Sequence, residues 1–116
     1  MYWFYLPIFL GVVVKRISNY VVSSRAIENK VHVVSADRIG TERGSSFAGL
    51  SKIVNASGDI LALASDDRDE IIYGEVDVES TRQKHVTVVP GECELDYLED
   101  RRPELYGVIT QPIRDV

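Results

Sequence analysis

A stretch with helical periodicity runs directly into a β-branched run, and this junction constrains the fold more than any other feature. From Lys15 to Asn29, apolar residues recur at helical spacing. The run VHVVSA follows at residues 31–36 with no linker, and its composition is typical of a buried strand. The sequence therefore predicts an α/β fold in which one main helix packs on a sheet.

Alternating apolar runs and turn residues continue after this strand. A loop rich in Gly and Ser begins at Asp37, and apolar runs then follow at residues 49–56, 59–65 and 70–78. The first two runs are joined across Ser57-Gly58 and the third follows an acidic turn, a pattern that predicts two successive hairpins. We expect about four strands in total, with apolar residues on both faces.

The last part of the chain shows weaker patterning. Asp77 is expected to cap a short helix over residues 78–84, because its carboxylate can accept free amide groups of the first turn. From Val86 onward, Pro and Gly punctuate an acidic segment that we interpret as an extended tail. The predicted division is an apolar segment over residues 1–14, a folded part over 15–90 and the acidic tail over 91–116.

The apolar start of the chain, MYWFYLPIFLGVVV, raises the question of a membrane. It has 14 uncharged residues before Lys15-Arg16, whereas a helical span needs about 20. Its charges follow the apolar run, and no cleavage site of the Ala-x-Ala type appears. We interpret it as a buried strand and a turn, with a peripheral anchor or a signal remnant as the alternative.

Composition excludes several classes of site. The chain has 116 residues, a formal net charge of -5, one Cys and two His. The acidic balance argues against a nucleic-acid partner. One Cys excludes an internal disulfide, and the Cys and two His cannot complete a zinc site without carboxylates. The sequence predicts a cytoplasmic setting with no cofactor, no metal and no membrane partner.

Motifs for phosphate binding and for metal ligands are weak. Residues 44–52, GSSFAGLSK, resemble a phosphate loop, but Leu50 stands where the lysine is required, and a strand follows instead of a helix. His32 lies on a predicted strand, and His85 lies near the end of a short predicted helix. Neither has a second ligand at helical or hairpin spacing, so both are interpreted as structural or exposed.

Cys93 is the one candidate nucleophile that composition offers. Activation of a thiol needs a neighbouring cation, a helix N-terminus or a His base. Its sequence neighbours are Glu92 and Glu94, and nearby negative charge disfavours a thiolate. The local sequence therefore argues against catalysis by Cys93, although a distant His folded onto the thiol is an alternative.

An ordered series of motifs resembles the C-terminal part of the nitrilase superfamily, the carbon-nitrogen hydrolases. The likeness covers roughly residues 16–107 and includes a helix end of the form Arg-Ala-x-Glu-Asn, an Arg-x-Gly strand end, a Phe-x-Gly-x-Ser run and an Arg-Arg-Pro-x-x-Tyr tail. The residues that carry it include Arg25, Glu28, Asn29, Arg38, Gly40, Phe47, Gly49, Ser51, Arg102, Pro103 and Tyr106.

The resemblance implies a fold and a chemistry. It implies part of an α-β-β-α sandwich, and a Cys nucleophile assisted by a Glu and a Lys, all located before the helix seen here. The sequence motifs that carry these three residues are absent from this sequence, and Cys93 lies far beyond the position of the family nucleophile. We therefore predict no catalytic residue, assign the other motif residues to structure, and expect Asp37 and Arg38 to line a site. Asp37 replaces the usual Asn, and an ionised carboxylate only accepts hydrogen bonds.

Two functional interpretations follow. The first is the C-terminal half of a carbon-nitrogen hydrolase acting on amides, nitriles or carbamoyl compounds, inactive by itself and completed by the missing N-terminal half. The second is a non-catalytic module that pairs with itself, as a homodimer, or with a complete homologue. The coding sequence immediately upstream discriminates between them, because Glu, Lys and Cys blocks encoded there favour a split or frameshifted enzyme.

Overall fold

The computed structural model describes residues 2–4, 11–107 and 109–112. Within them the chain forms one α-helix, eight short β-strands and two 3-10 helices. It divides into two compact units, an N-terminal unit, Met1–Gln83, and a C-terminal unit, Lys84–Val116. These units are defined by internal packing, whereas the predicted division at residues 14 and 90 came from sequence likeness and stays a prediction.

The N-terminal unit contains β1 Tyr2–Phe4, α1 Gly11–Asn29, β2 Val33–Ser35, β3 Ile39–Glu42, β4 Ser45–Ala48, β5 Lys52–Val54, β6 Ile60–Leu63 and a 3-10 helix Glu79–Thr81. It is built on a four-stranded sheet in the order β1-β2-β5-β6. Strand β1 runs parallel to β2, and the other neighbouring pairs are antiparallel. A separate hairpin is formed by β3 and β4.

The end of α1 is fixed by backbone geometry. Lys30 adopts a left-handed conformation with φ 48°, its amide donates to the carbonyl of Ile27, and the amide of Val31 donates to the carbonyl of Ala26. This is the Schellman arrangement, which satisfies carbonyls at a helix C-terminus. The side chain of Asn29 also donates to the carbonyl of Arg25 at 3.0 Å. The predicted stop at Asn29 is confirmed.

Arg25 and Glu28 form an exposed ion pair on α1. Their side chains are 64% and 58% exposed, with Nη1 3.0 Å from Oε2. Exposed pairs at this spacing contribute under about 1 kcal/mol. We expect Glu28→Gln to leave the free energy of unfolding within about 1 kcal/mol of the parent in denaturant titrations. A loss of 3 kcal/mol or more would show that the pair is buried in solution.

The face of α1 that contacts the sheet is a narrow stripe of small residues. Ser18 and Ala26 are buried and Val22 is half-buried, and this spacing of four places them on one side of the helix. Tyr20, part of the apolar pattern that predicted the helix, is 72% exposed. The periodicity predicted the helix correctly but did not identify its buried face.

Strand β5 places Lys52 and Val54 toward α1. Val54 is fully buried and belongs to the core cluster that includes Ala26 of the helix. The Lys52 ammonium donates to the carbonyl of Ser18 at 2.9 Å and to Oδ1 of Asn19 at 3.3 Å. Burial lowers the pKa of Lys52 below its usual value. This lysine joins the sheet to the helix.

The opposite face of the sheet is covered by residues 70–78, which we call the covering segment. A Cβ added at Gly74 would lie 3.0 Å from Cδ1 of Ile53, so the segment passes closely over this strand β5 side chain. The ring of His32, one residue before β2, lies with Nε2 2.6 Å from the carbonyl oxygen of Asp77. The apolar residues on this second face are thus covered in part by the chain itself.

The covering segment is not a paired strand, and this prediction was wrong. Its sequence alternates apolar and polar residues as a strand does, but residues 70–77 carry no strand assignment. Strand structure requires a hydrogen-bonding neighbour, and no described residue occupies that position. The carboxylate of Asp77 accepts the amide of Glu79 at 3.0 Å, as predicted, but the helix that follows is only Glu79–Thr81.

Turn chemistry explains one confirmed hairpin and one that was not predicted. Strands β5 and β6 are joined by the predicted turn, in which Oδ1 of Asn55 accepts the amides of Ser57 and Asp59. The loop expected after Asp37 instead contains the β3–β4 hairpin. Arg43 and Gly44 have φ 49° and 81°, values that suit a tight two-residue turn.

Both ends of the chain differ from their predictions in detail. Residues 2–4 form β1 and residues 11–14 belong to α1, whereas the predicted turn between them lies outside the described residues. The prediction of an extended tail from Val86 onward was also wrong for part of its length, because β7 His85–Val89 and β8 Cys93–Asp96 form an antiparallel hairpin. Pro and Gly there form the turn of a hairpin instead of ending structure.

The described residues contain no helix of sufficient length and apolar character to cross a lipid bilayer.

Candidate functional site

Three loops meet at one end of the four-stranded sheet, and the predicted site residues lie there. Asp37 and Arg38 follow β2, Ser51 precedes β5, and residues 64–70 follow β6. Because β5 is antiparallel to both neighbours, the ends of β2 and β6 and the start of β5 lie at the same end of the sheet. Their side chains surround a recess of about 120 Å³, the Asp37 recess, lined by Asp37, Arg38, Ile39, Ser51, Ala64, Ser65, Arg68, Asp69 and Glu70.

Ser51 holds the backbone of Asp37 in two ways. Its Oγ accepts the amide of Asp37 at 2.9 Å and donates to the carbonyl of the same residue at 3.1 Å. A single hydroxyl therefore satisfies both polar backbone groups of a half-buried residue. This contact gives the motif serine a structural role and orients the first residue of the recess.

Arg38 is held over an aromatic ring. Its guanidinium carbon lies 3.6 Å from the centroid of Phe47, which is a cation-π arrangement. Nη1 of Arg38 also lies 2.5 Å from Oε2 of Glu42. The two motif residues Arg38 and Phe47 thus contact each other, and β3 and β4 supply the groups that orient the guanidinium at the recess.

Hydrogen bonds order the wall of the recess that residues 64–70 form. The amide of Ser65 donates to Oε1 of Glu70 at 2.5 Å, and hydrogen bonding from Ser65 lowers the pKa of Glu70. At the adjacent position, Asp66 forms an ion pair with Lys15 of α1. The wall is therefore acidic, and its position is tied to the helix.

Asp37 lies in a half-buried position that changes its acidity. Burial raises the pKa of its carboxyl, although the amide and the positive charge of Arg38 act in the opposite direction. The amide of Arg38 donates to Oδ1 of Asp37 at 2.9 Å. The resulting arrangement offers three acids, two guanidinium groups and two hydroxyls, which can bind a polar group but include no thiol.

We expect Asp37→Asn to stabilise the N-terminal unit at neutral pH. Because folding raises the pKa of Asp37, stability falls as pH rises from about 4 through the pKa in the folded state. An Asn removes this loss and keeps an oxygen for the Arg38 amide. Thermal melts should show a midpoint raised by at most about 4 °C at pH 7, with no difference near pH 3. A variant less stable than the parent at pH 7 would contradict this, with exposed Asp67→Asn as the control for net charge.

The remaining motif residues lie in turns. Gly40 and Gly49 have φ 87° and 62°, and the amide of Gly49 donates to the carbonyl of Arg38. In the C-terminal unit, Pro103 begins a 3-10 helix, Pro103–Leu105. The amide of Arg102 there lies 3.4 Å from the hydroxyl of Tyr106. These contacts are structural, and Arg102, Pro103 and Tyr106 are not among the lining residues of the Asp37 recess.

Cys93 lies in β8, where its thiol is free and exposed. It pairs with Val89 in the hairpin of the C-terminal unit. His85 of the same unit lies near carboxylates, with Nε2 3.3 Å from Glu94 Oε2. Across the described parts of the chain, no group of three His, Cys, Asp or Glu residues is arranged to hold a metal ion.

Comparison with known proteins identifies the family. The profile of the carbon-nitrogen hydrolases matches residues 15–85. The chain belongs to the carbon-nitrogen hydrolase family. The family prediction from motifs is therefore confirmed, and the matched region includes every residue that lines the Asp37 recess.

Curated relatives in this family are much longer than the chain. A nitrilase of Pyrococcus abyssi is 39% identical over 82 residues, covering 71% of this chain and 29% of the relative. A probable nitrilase of Schizosaccharomyces pombe is 30% identical over 95 residues, covering 79% and 32%. The chain thus spans about a third of the length of these relatives.

A solved structure has a similar fold. The crystal structure of a carbon-nitrogen hydrolase from Helicobacter pylori G27 aligns with a TM-score of 0.69 at 24% identity. The alignment covers 92% of this chain and 39% of the other. The chain therefore has the fold of part of a larger carbon-nitrogen hydrolase.

Sequence reasoning missed several residues around the recess and the sheet. Ser65 and Glu70 were interpreted only as the last and first residues of two predicted strands, because their contact depends on how the loop between them closes. The burial of Lys52 was also missed, although a single lysine inside the apolar run GLSKIVNA was a signal. His32 was correctly interpreted as structural, but its partner Asp77 is distant in sequence.

Proposed function

We propose that this chain forms the C-terminal part of a carbon-nitrogen hydrolase acting on amides, nitriles or carbamoyl compounds, and that it does not hydrolyse them by itself. The observation that carries the proposal is the Asp37 recess. It is built from residues of the family match, yet it contains carboxylates, guanidinium groups and hydroxyls and no thiol. The chain would contribute one wall of a site whose nucleophile comes from elsewhere.

The layering of the N-terminal unit supports this proposal. Helix α1 covers one face of the sheet, and the covering segment lies on the other. A helix, a sheet and the beginning of a second β-layer are the order expected for part of an α-β-β-α sandwich. In that architecture further strands would extend the second layer, and a further helix would cover it.

The contribution of the recess would be positioning. Arg38 and Arg68 can hold an anionic or carbonyl group of a substrate, because guanidinium groups present several donors in a plane. Asp37, held by Ser51, can accept a hydrogen bond from an amide N-H. These residues would orient a substrate, and attack on its carbon would require a thiolate that this recess does not supply.

Hydrolysis assays on the purified chain test the proposal. Ammonia release from simple amides and nitriles should not exceed the buffer blank, and Cys93→Ala should behave identically because Cys93 is exposed in the other unit. Turnover that persists in Cys93→Ala after rigorous removal of contaminating hydrolases would contradict inactivity. Turnover abolished by that change would instead assign Cys93 as a nucleophile.

A further inference from the structure

The positive groups of the Asp37 recess already interact with acids of this chain. Nη1 of Arg38 lies 2.5 Å from Oε2 of Glu42. On the opposite wall, hydrogen bonding from Ser65 lowers the pKa of Glu70, and the positive charge of Arg68 acts in the same direction. Each guanidinium group that lines the recess is therefore matched by a carboxylate, and neither adds an uncompensated positive charge to it.

Two further carboxylates line the recess, those of Asp37 and Asp69. Among the residues that the structure describes, neither forms an ion pair. Oδ1 of Asp37 accepts the amide of Arg38 at 2.9 Å, and no described donor is within hydrogen-bonding distance of Oδ2. The hydroxyl of Ser51 holds the backbone of Asp37 through both its amide and its carbonyl. The carboxyl group of Asp37 is therefore positioned by the fold and keeps one oxygen for a ligand.

The environment of Asp37 favours a positively charged ligand group. Partial burial removes water from its carboxylate and raises its pKa. A ligand cation beside the carboxylate would offset this loss, because opposite charges attract more strongly in a partly desolvated position than in bulk water. No three His, Cys, Asp or Glu side chains in the described ranges are arranged to hold a metal ion. The cation that suits the recess is therefore an organic one.

We propose that the substrate of this hydrolase carries a primary ammonium group and that Asp37 is the specificity-determining residue that binds it. The inference rests on the proposed function and narrows its amides, nitriles or carbamoyl compounds to those with an amino group away from the scissile carbon. The recess of about 120 Å³ has room for such a small group. Because a guanidinium group has five N-H donors, Arg38 keeps donors for a substrate carbonyl while it is bonded to Glu42.

Binding of two matched amides to the full chain of 13.0 kDa tests the proposal. 5-Aminopentanamide ends in an ammonium group, whereas hexanamide ends in a methyl group of similar size. NMR titrations that follow the backbone amides of residues 37–39 and 64–70 give both dissociation constants. We expect 5-aminopentanamide to bind about tenfold more tightly, as a hydrogen bond between charged groups allows. Asp37→Asn should bring the two constants within about twofold of each other.

Asp67→Asn is the control, since it makes the same change of net charge at an exposed residue that does not line the recess, and it should keep the preference. The proposal is overturned if neither amide shifts these signals, if both bind the parent equally, or if the preference persists in Asp37→Asn. The proposed function fails separately, through absent turnover in a chimera of this chain with a complete relative. A chimera that hydrolyses neutral nitriles, beside a chain without ammonium preference, would reject this inference alone.

Discussion

Replacing Gly49 with Ala is expected to lower the free energy of unfolding of the N-terminal unit by about 3 kcal/mol. Gly49 has φ 62°, and left-handed geometry costs other residues about 1–2 kcal/mol. An added Cβ would also lie 2.6 Å from Cγ2 of Ile39 and 3.1 Å from the carbonyl oxygen of Ser65. The second contact is to backbone, so relief requires movement of the wall of the recess, at a cost of about 1–3 kcal/mol.

Gly40→Ala is the matched control for this change. Gly40 also has positive φ, 87°, but an added Cβ would meet nothing within 4 Å. Its cost should therefore be the backbone contribution alone, about 1–2 kcal/mol. Urea titrations of both variants measure the difference. Equal losses for Gly40→Ala and Gly49→Ala would show that the close packing around Gly49 is absent in solution.

The substitution Phe47→Ala is expected to lower the free energy of unfolding by about 3–5 kcal/mol, as other buried Phe→Ala changes do. Phe47 is 7% exposed and carries the guanidinium of Arg38 on its face. The substitution therefore removes buried apolar area and leaves a cavity beside the Asp37 recess. Denaturant unfolding should show the loss as a lower midpoint with an unchanged slope.

Phe47→Leu separates the two contributions of the ring. Leucine keeps most of the apolar volume but has no π face. The loss of the cation-π contact with the exposed Arg38 should therefore lower the free energy of unfolding by about 0.5–1 kcal/mol, in addition to any change in packing. A loss below 1 kcal/mol for Phe47→Ala would contradict the burial of the ring. A Phe47→Leu loss equal to that of Phe47→Ala would assign most of the energy to the aromatic contact with Arg38.

Local features of the fold could be predicted from the sequence, because their causes lie within a few residues. The end of α1 at Asn29 and the turn around Asn55 depend on neighbouring backbone groups, and both were predicted. The β3–β4 hairpin was missed although Arg43-Gly44 is a local turn signal. Serine and glycine on both sides made the segment resemble a loop.

Features that depend on distant contacts were not predictable. The buried stripe of α1 is set by which residues face β5. The apolar pattern therefore included exposed Tyr20 but not half-buried Val22. The alternation in the covering segment is correct for a strand, but pairing needs a neighbour that the described chain does not provide. Asp37 and Arg38 were expected to line a site and do line the recess, but its walls depend on Ser51 and Glu70, which loop closure brings to them. Whether Asp37 and Arg38 bind substrate stays a prediction.

A chimera with the Pyrococcus abyssi relative tests the central claim most directly. The 82-residue stretch of that nitrilase that matches this chain at 39% identity would be replaced with the corresponding residues of this chain, with nitrile hydrolysis compared in the chimera and the unaltered relative. If this chain is the C-terminal part of a carbon-nitrogen hydrolase, the folded chimera should hydrolyse nitriles, and Arg38→Ala within it should raise KM. A chimera that folds with the melting behaviour of the relative but releases no product would contradict the account.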